Sequence, residues 1–352
     1  MFMVLVLHIL GHGGVLENTE PFTWTHNIVW LLEIAAYGAV DCYALISGYV
    51  GVYSKHRYSS FIVLWLRVVF YSFIFTVINK LVVPDAIGMK KIIFSLFPIC
   101  RNTYWYFTSY FILFLFIPLL NHCLISLNKV KIQVFLISIL AVTSIVIPIV
   151  GVFGNDGFGL GKGYSPWWLM ILYVFGGYIR KYGLFANVKK RYLLLIFFMS
   201  FSVTWLSKIV IQIATNHIWN EIKHDDIFVS YLSLTVLISA VSLLILFSKI
   251  HFCQRAIRMI AFLSPLAFSV YLIHEHPFIQ SQFITDKFIW ITNLPLYAIV
   301  PVVIGCALLI YIICSLLDVG RFYLYKWLKV KERLSAFEMR IKKISSRLHS
   351  GE

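Results

Sequence analysis

His8 lies in the apolar run Met1–Leu10 (MFMVLVLHIL), where an imidazole has no water to satisfy it. An ionisable or strongly polar group inside such a run is expensive to hold in lipid, which makes it a functional candidate by default. Glu33, Tyr37 and Asp41 follow at four-residue steps in the next apolar run, a spacing that sets them along one helix face. Trp105 and Tyr106 open a later run, Arg67 sits inside another, and Tyr271 and His274 close a late one. A neutral imidazole away from water keeps a lone pair that can take a proton from a hydroxyl. A carboxylate such as Glu33 beside it would fix the tautomer and stabilise the imidazolium that forms. The competing reading of His8 is a hydrogen bond to a neighbouring helix. For Glu33 it is a partly hydrated interfacial position, and for Arg67 helix pairing or snorkelling to a surface. Six cysteines, Cys42, Cys100, Cys123, Cys253, Cys306 and Cys314, are scattered without CxxC spacing, so no metal is expected.

These groups need helices to hold them. Of 352 residues, 60% are hydrophobic and 13% charged, against roughly half and a quarter in soluble domains. The chain therefore takes lipid as solvent. Apolar runs fall at about 1–14, 28–53, 60–83, 104–123, 132–151, 166–180, 193–214, 228–249, 260–276 and 296–319. Such runs are helices, because lipid leaves backbone groups only a helix or a closed barrel. The expectation is an all-α integral membrane bundle of about ten transmembrane helices, with residues 1–319 as one transmembrane domain and 320–352 as a basic tail.

The net charge of +15 gathers in alternate loops and in the tail, which places both termini on the cytoplasmic side and argues against nucleic-acid binding. Counting residues from the helix ends puts His8, Glu33 and His274 at similar depth in the outer half. An outer cluster of His8, Glu33, Tyr37, Trp105, Tyr106, Tyr271 and His274 follows, with an inner Asp41–Arg67 pair. His12 and His26 read as solvated and Lys208 as snorkelling. Trp24, Trp30, Trp105, Trp167 and Trp168 read as an interfacial belt. In the tail, Leu334, Phe337, Ile341, Ile344 and Leu348 recur at helical spacing, flanked by Arg340, Lys342, Lys343 and Arg347. That pattern suits a helix lying on an anionic leaflet, or alternatively packed on a partner helix. Gly151–Gly163 reads as an external loop, and the short first run suggests a native start upstream of Met1.

Four segments in order resemble the membrane acyltransferase-3 family: MFMVLVLH ending at His8, GAVDCYALISGY over Gly38–Tyr49, YWYFTSYFILFLFIPLL over Tyr104–Leu120, and FSVYLIHEH over Phe268–His276. The resemblance covers essentially the whole chain. It implies transfer of an acyl group from cytoplasmic acyl-CoA, acetyl-CoA first among the donors, to a hydroxyl on a surface glycan, antibiotic or lipid-linked sugar. It also assigns His8 the catalytic role. Two departures stand out. The family's arginine some ten residues before the histidine would here precede Met1. Of the two arginines common after the second helix, this chain has Arg67, with Leu64 three residues before it.

The combined expectation is a bacterial cytoplasmic-membrane O-acyltransferase of the cell envelope. In it His8 acts as base or acyl carrier with Glu33 behind it, and Arg67 and Asp41 serve the donor. Tyr37, Trp105, Tyr106, Tyr271 and His274 face the sugar, and polysaccharide biosynthesis proteins are the expected partners. A polysaccharide exporter or flippase is the rival reading, and a glycan polymerase a third. Paired half-repeats, which would favour a transporter, are not evident.

Overall fold

The structure is a computed structural model; it describes residues 1–151 and 157–350, without the side chains of 86, 342 and 345–350. Among the described residues all regular structure is helical. Helices α1 (Phe2–Leu10), α2 (Trp24–Tyr37), α3 (Ala39–Gly51) and α4 (Tyr58–Val82) are followed by a short α5 (Met89–Phe94). Then come α6 (Trp105–Ser126), α7 (Lys129–Ala141) and its continuation α8 (Ile147–Val150), α9 (Pro166–Tyr182) and α10 (Lys190–Trp219). Helices α11 (Leu234–Ser248), α12 (Gln254–His274), a single turn α13 (Pro277–Ile279), α14 (Leu296–Trp327) and the tail α15 (Val330–Ser350) complete the chain.

Against the ten spans expected, seven helices among the described residues are long and apolar enough to cross a membrane, with α2 and α3 counted as one. The other three runs are helical but short: nine residues in α1, 17 in α9 and 15 in α11. At 1.5 Å per residue, α11 reaches only about 22 Å against a hydrocarbon core of about 30 Å. Neighbours compensate by enclosing these pieces. Leu5, Ile9 and Leu10 of α1 are fully buried, chiefly against α2 and α14.

The packing is inside-out relative to a soluble bundle. Along α10, Ser200, Thr204, Lys208 and Gln212 are buried, whereas Phe198, Met199, Val203, Leu206 and Val210 are exposed. Only an apolar solvent rewards that arrangement. The closest helix pair is α3 on α9. A Cβ on Gly48 would stand 1.9 Å from the Tyr173 carbonyl oxygen, and one on Gly176 2.0 Å from that of Leu45. The glycine of the Ser47-Gly48-Tyr49 segment is thus a steric requirement, the small-residue contact on which membrane helices rely.

Two apolar cores result, one built around α3, α9 and α11 and one around α1, α4, α12 and α14. Tyr37 and Tyr106 pack against both, so they mark the seam between them. The tail α15 lies against α4, where the Ser59 N–H donates to Glu338 Oε2 at 3.0 Å. Its Phe337, Ile341 and Ile344 are exposed, while the side chains of Lys342, Arg347 and Leu348 lie outside the described residues. Of the loop Gly151–Gly163, residues 152–156 also lie outside them.

Candidate active site

His8 occupies the last turn of α1, and His274 and Glu275 close the end of α12 beside it. His274 Nδ1 lies 2.5 Å from the Val270 carbonyl oxygen, a group that can only accept. In the neutral ring that proton sits on Nδ1, so Nε2 is an acceptor. His8 Nδ1 stands 2.8 Å from it and must donate. The bonding therefore assigns the proton of neutral His8 to Nδ1 and leaves Nε2 with the lone pair. Glu275 Oε2 is 2.9 Å from the same Nδ1, placed to stabilise charge on the ring.

His8 faces a cavity of about 470 Å³ at the seam between the two cores. Two helical stripes form its walls: Met1, Val4, His8 and Gly11 from α1, and Ser264, Phe268, Tyr271 and Glu275 from α12. From Ser264 to Glu275 this advances eleven residue steps, about 16 Å. The cavity is thus elongated along the bundle. Glu33, Tyr37 and Tyr106 supply polar groups to the opposite wall. Glu33 Oε2 and the Tyr106 hydroxyl are buried without a hydrogen-bond partner among the described residues. A buried polar atom left unpaired is costly, and water or a ligand in the cavity would satisfy both. One part of the wall is aromatic: the rings of Tyr37 and Tyr231 stack at 4.7 Å, Tyr164 and Tyr231 lie 5.0 Å apart, and Trp105 and Tyr164 4.5 Å.

Six expected site residues, His8, Glu33, Tyr37, Trp105, Tyr106 and Tyr271, line this one cavity. His274 stands behind His8 rather than on the wall. The carboxylate at the imidazole is Glu275, not Glu33.

The expected Asp41–Arg67 pair does not form. The helix is interrupted at Gly38, so Glu33 on α2 and Asp41 on α3 do not share the single face that the four-residue spacing suggests. It is fully buried against α9, accepting from Trp168 Nε1 at 3.0 Å. Arg67 donates to the Pro265 carbonyl oxygen at 2.7 Å, one residue from Ser264 on the cavity wall. The carboxylate in its surroundings is Asp318, which Arg321 grips through Nε at 2.5 Å and its terminal nitrogen at 2.7 Å, and to which Tyr71 donates. Both Asp318 and Arg321 are buried well inside α14. The tryptophan belt is likewise corrected: Trp24 and Trp167 are exposed, but Trp168 is buried and Trp105 faces the cavity.

Sequence reasoning missed Glu275, although it is the residue after His274 in the quoted FSVYLIHEH segment. His8, His12 and Glu275 also bring three ligand atoms within 4.8 Å of one another, a donor set able to hold a metal ion. Coordination through His8 Nδ1 would sacrifice its bond to His274.

A family profile described as an acyltransferase domain, that of the acyltransferase-3 family, matches residues 1–317. The chain belongs to that family: it is a multi-pass membrane protein carrying a transferase domain. No curated protein and no solved structure matches it.

Proposed function

We propose that the chain transfers an acyl group, acetyl in the simplest case, from cytoplasmic acyl-CoA to a hydroxyl of an extracytoplasmic polysaccharide or lipid-linked sugar. The observation that carries this reading is the proton placement at His8, with Nδ1 committed to His274 and Nε2 left as a base on a cavity wall. As the acceptor oxygen attacks the thioester carbonyl, His8 Nε2 takes its proton. The resulting imidazolium is stabilised by Glu275. Collapse of the tetrahedral intermediate breaks the carbon–sulfur bond, and the departing thiolate recovers the proton as free CoA while the ester remains on the sugar.

The shape of the cavity supports the assignment. Its long axis, lined by Leu64, Ala267 and Phe268, suits a slender acyl-thioester arm rather than a nucleotide. Arg67, whose Nε has no partner among the described residues, stands beside its deep end, where a phosphate of the donor would be welcome. The lysine and arginine distribution orients that end, with both termini, toward the cytoplasm. Trp105, Tyr164 and Tyr231 then meet sugars of the acceptor chain beyond the reacting one, since aromatic faces suit sugar rings.

The test is ester analysis of the surface glycan in cells carrying native protein or His8→Ala at matched membrane abundance. Loss of the ester with polymer still exported is the expected result. Unchanged esters would overturn the proposal.

A further inference from the structure

A second cavity, of about 670 Å³, adjoins the first and shares Gly11 and His12 with it. Its wall is built on a buried polar network that the His8 chemistry does not use. Thr19 Oγ1 donates to the Leu16 carbonyl oxygen at 2.9 Å and so accepts from His26 Nδ1, also at 2.9 Å. His26 Nε2 therefore accepts from Gln212 Nε2 at 3.0 Å, and the other amide hydrogen of Gln212 goes to Asp225 Oδ2 at 2.7 Å. Lys208 pairs with the same carboxylate and sits 3.9 Å above the Trp30 ring. His26 is not solvated and Lys208 does not snorkel, contrary to what their sequence positions suggest: they are 5% and 3% exposed, and Gln212 is 2% exposed. The network fixes the orientation of Gln212, leaving its Oε1 to accept from something else.

The charge balance defines what the cavity would take. Lys208 and Asp225 neutralise each other, which leaves Glu17 and Asp286 on the wall without a compensating cation there. An anionic ligand meets repulsion. A hydroxyl-rich neutral ring finds oxygen acceptors around it.

Resting on the acyl-transfer reading, we propose that this second cavity is the acceptor subsite. It holds an uncharged sugar ring, and the shared wall at Gly11 and His12 is where that ring's hydroxyl approaches His8. Gly11, having no side chain, keeps the wall thin.

The full chain in liposomes, supplied with radiolabelled acetyl-CoA, is given octyl β-glucoside as a neutral probe and octyl β-glucuronide as its anionic counterpart. The native protein should acylate the glucoside at least tenfold more efficiently. Gln212→Ala should raise the KM for the glucoside about tenfold with kcat nearly unchanged. The double change Glu17→Gln, Asp286→Asn, at exposed positions that do not threaten folding, should narrow the preference at least threefold. A native protein that acylates neither probe, or prefers the glucuronide, overturns the subsite. So do variants whose KM and preference match the native values. The acyl-transfer reading is judged apart, by His8→Ala: transfer lost in that variant upholds it whatever the others do, and transfer retained overturns both.

Discussion

His274 holds His8 from across 266 positions of sequence, its Nε2 lying 2.8 Å from His8 Nδ1 while its own Nδ1 is anchored on Val270. One histidine thus sets the tautomer of another through a fixed chain that ends on a backbone carbonyl. Removing the link in His274→Ala should lower kcat by roughly 10²-fold, within the range general-base contributions span, with protein abundance unchanged. His274→Gln can place a carbonyl oxygen where Nε2 was, and should recover part of the loss. Initial transfer rates on the three proteins check this.

Glu275 acts on the charged form of His8. Glu275→Gln keeps the shape but removes the charge 2.9 Å from Nδ1. The rate should fall about tenfold to a hundredfold, while the KM for the donor stays near its native value. Steady-state kinetics against donor concentration separate the two effects.

The α3–α9 contact has no room for a side chain. Gly48→Ala places a methyl 1.9 Å from a carbonyl oxygen, so the helices must separate. Overpacking of this kind costs about 1–3 kcal/mol, and a lowered unfolding midpoint in detergent should report it.

Asp225→Ala would leave the buried Lys208 ammonium unpaired, a loss of about 3–5 kcal/mol. Replacing both partners with apolar residues should be far milder. Burial alone would push the Asp225 carboxyl up, but the hydrogen bond and charge of Lys208 outweigh it and hold the group below the usual carboxylate range. A value lowered by folding gives stability that is complete above the unfolded value, about 4. That stability drains away as pH falls below it through the folded value. Thermal unfolding from pH 7 downward should therefore show an acid-side loss in the native protein that the doubly apolar variant lacks.

The grouping of His8, His12 and Glu275 invites a metal test. Because His8 Nδ1 is engaged by His274, dialysis against EDTA should leave transfer unchanged. Activity lost on chelation and restored by Zn²⁺ would make the trio a metal centre instead.

Much of this site can be read from residue type alone, because lipid makes polar groups conspicuous. His8, Glu33 and Tyr37 stand out in apolar runs and do share a cavity. What cannot be read is which helices touch. The Asp41–Arg67 pairing assumed that equal depth means contact, but Asp41 turns to α9 and Arg67 to α12. Other signals are present in the sequence. The buried stripe Ser200, Thr204, Lys208, Gln212 repeats every four residues, the mark of a polar helix face turned inward. Arg321 falls in the expected basic tail beginning at 320, yet it pairs with Asp318 three residues earlier in α14, because the helix continues to Trp327 without a break in sequence to announce it.

The claim on which the rest stands is that Nε2 of His8 is the base. Its most direct test is the rate of acyl transfer by purified His8→Gln, whose amide can still donate to His274 but cannot take a proton. The rate should fall at least 10³-fold below native in a protein that unfolds at the native temperature. A rate within tenfold of native would contradict it.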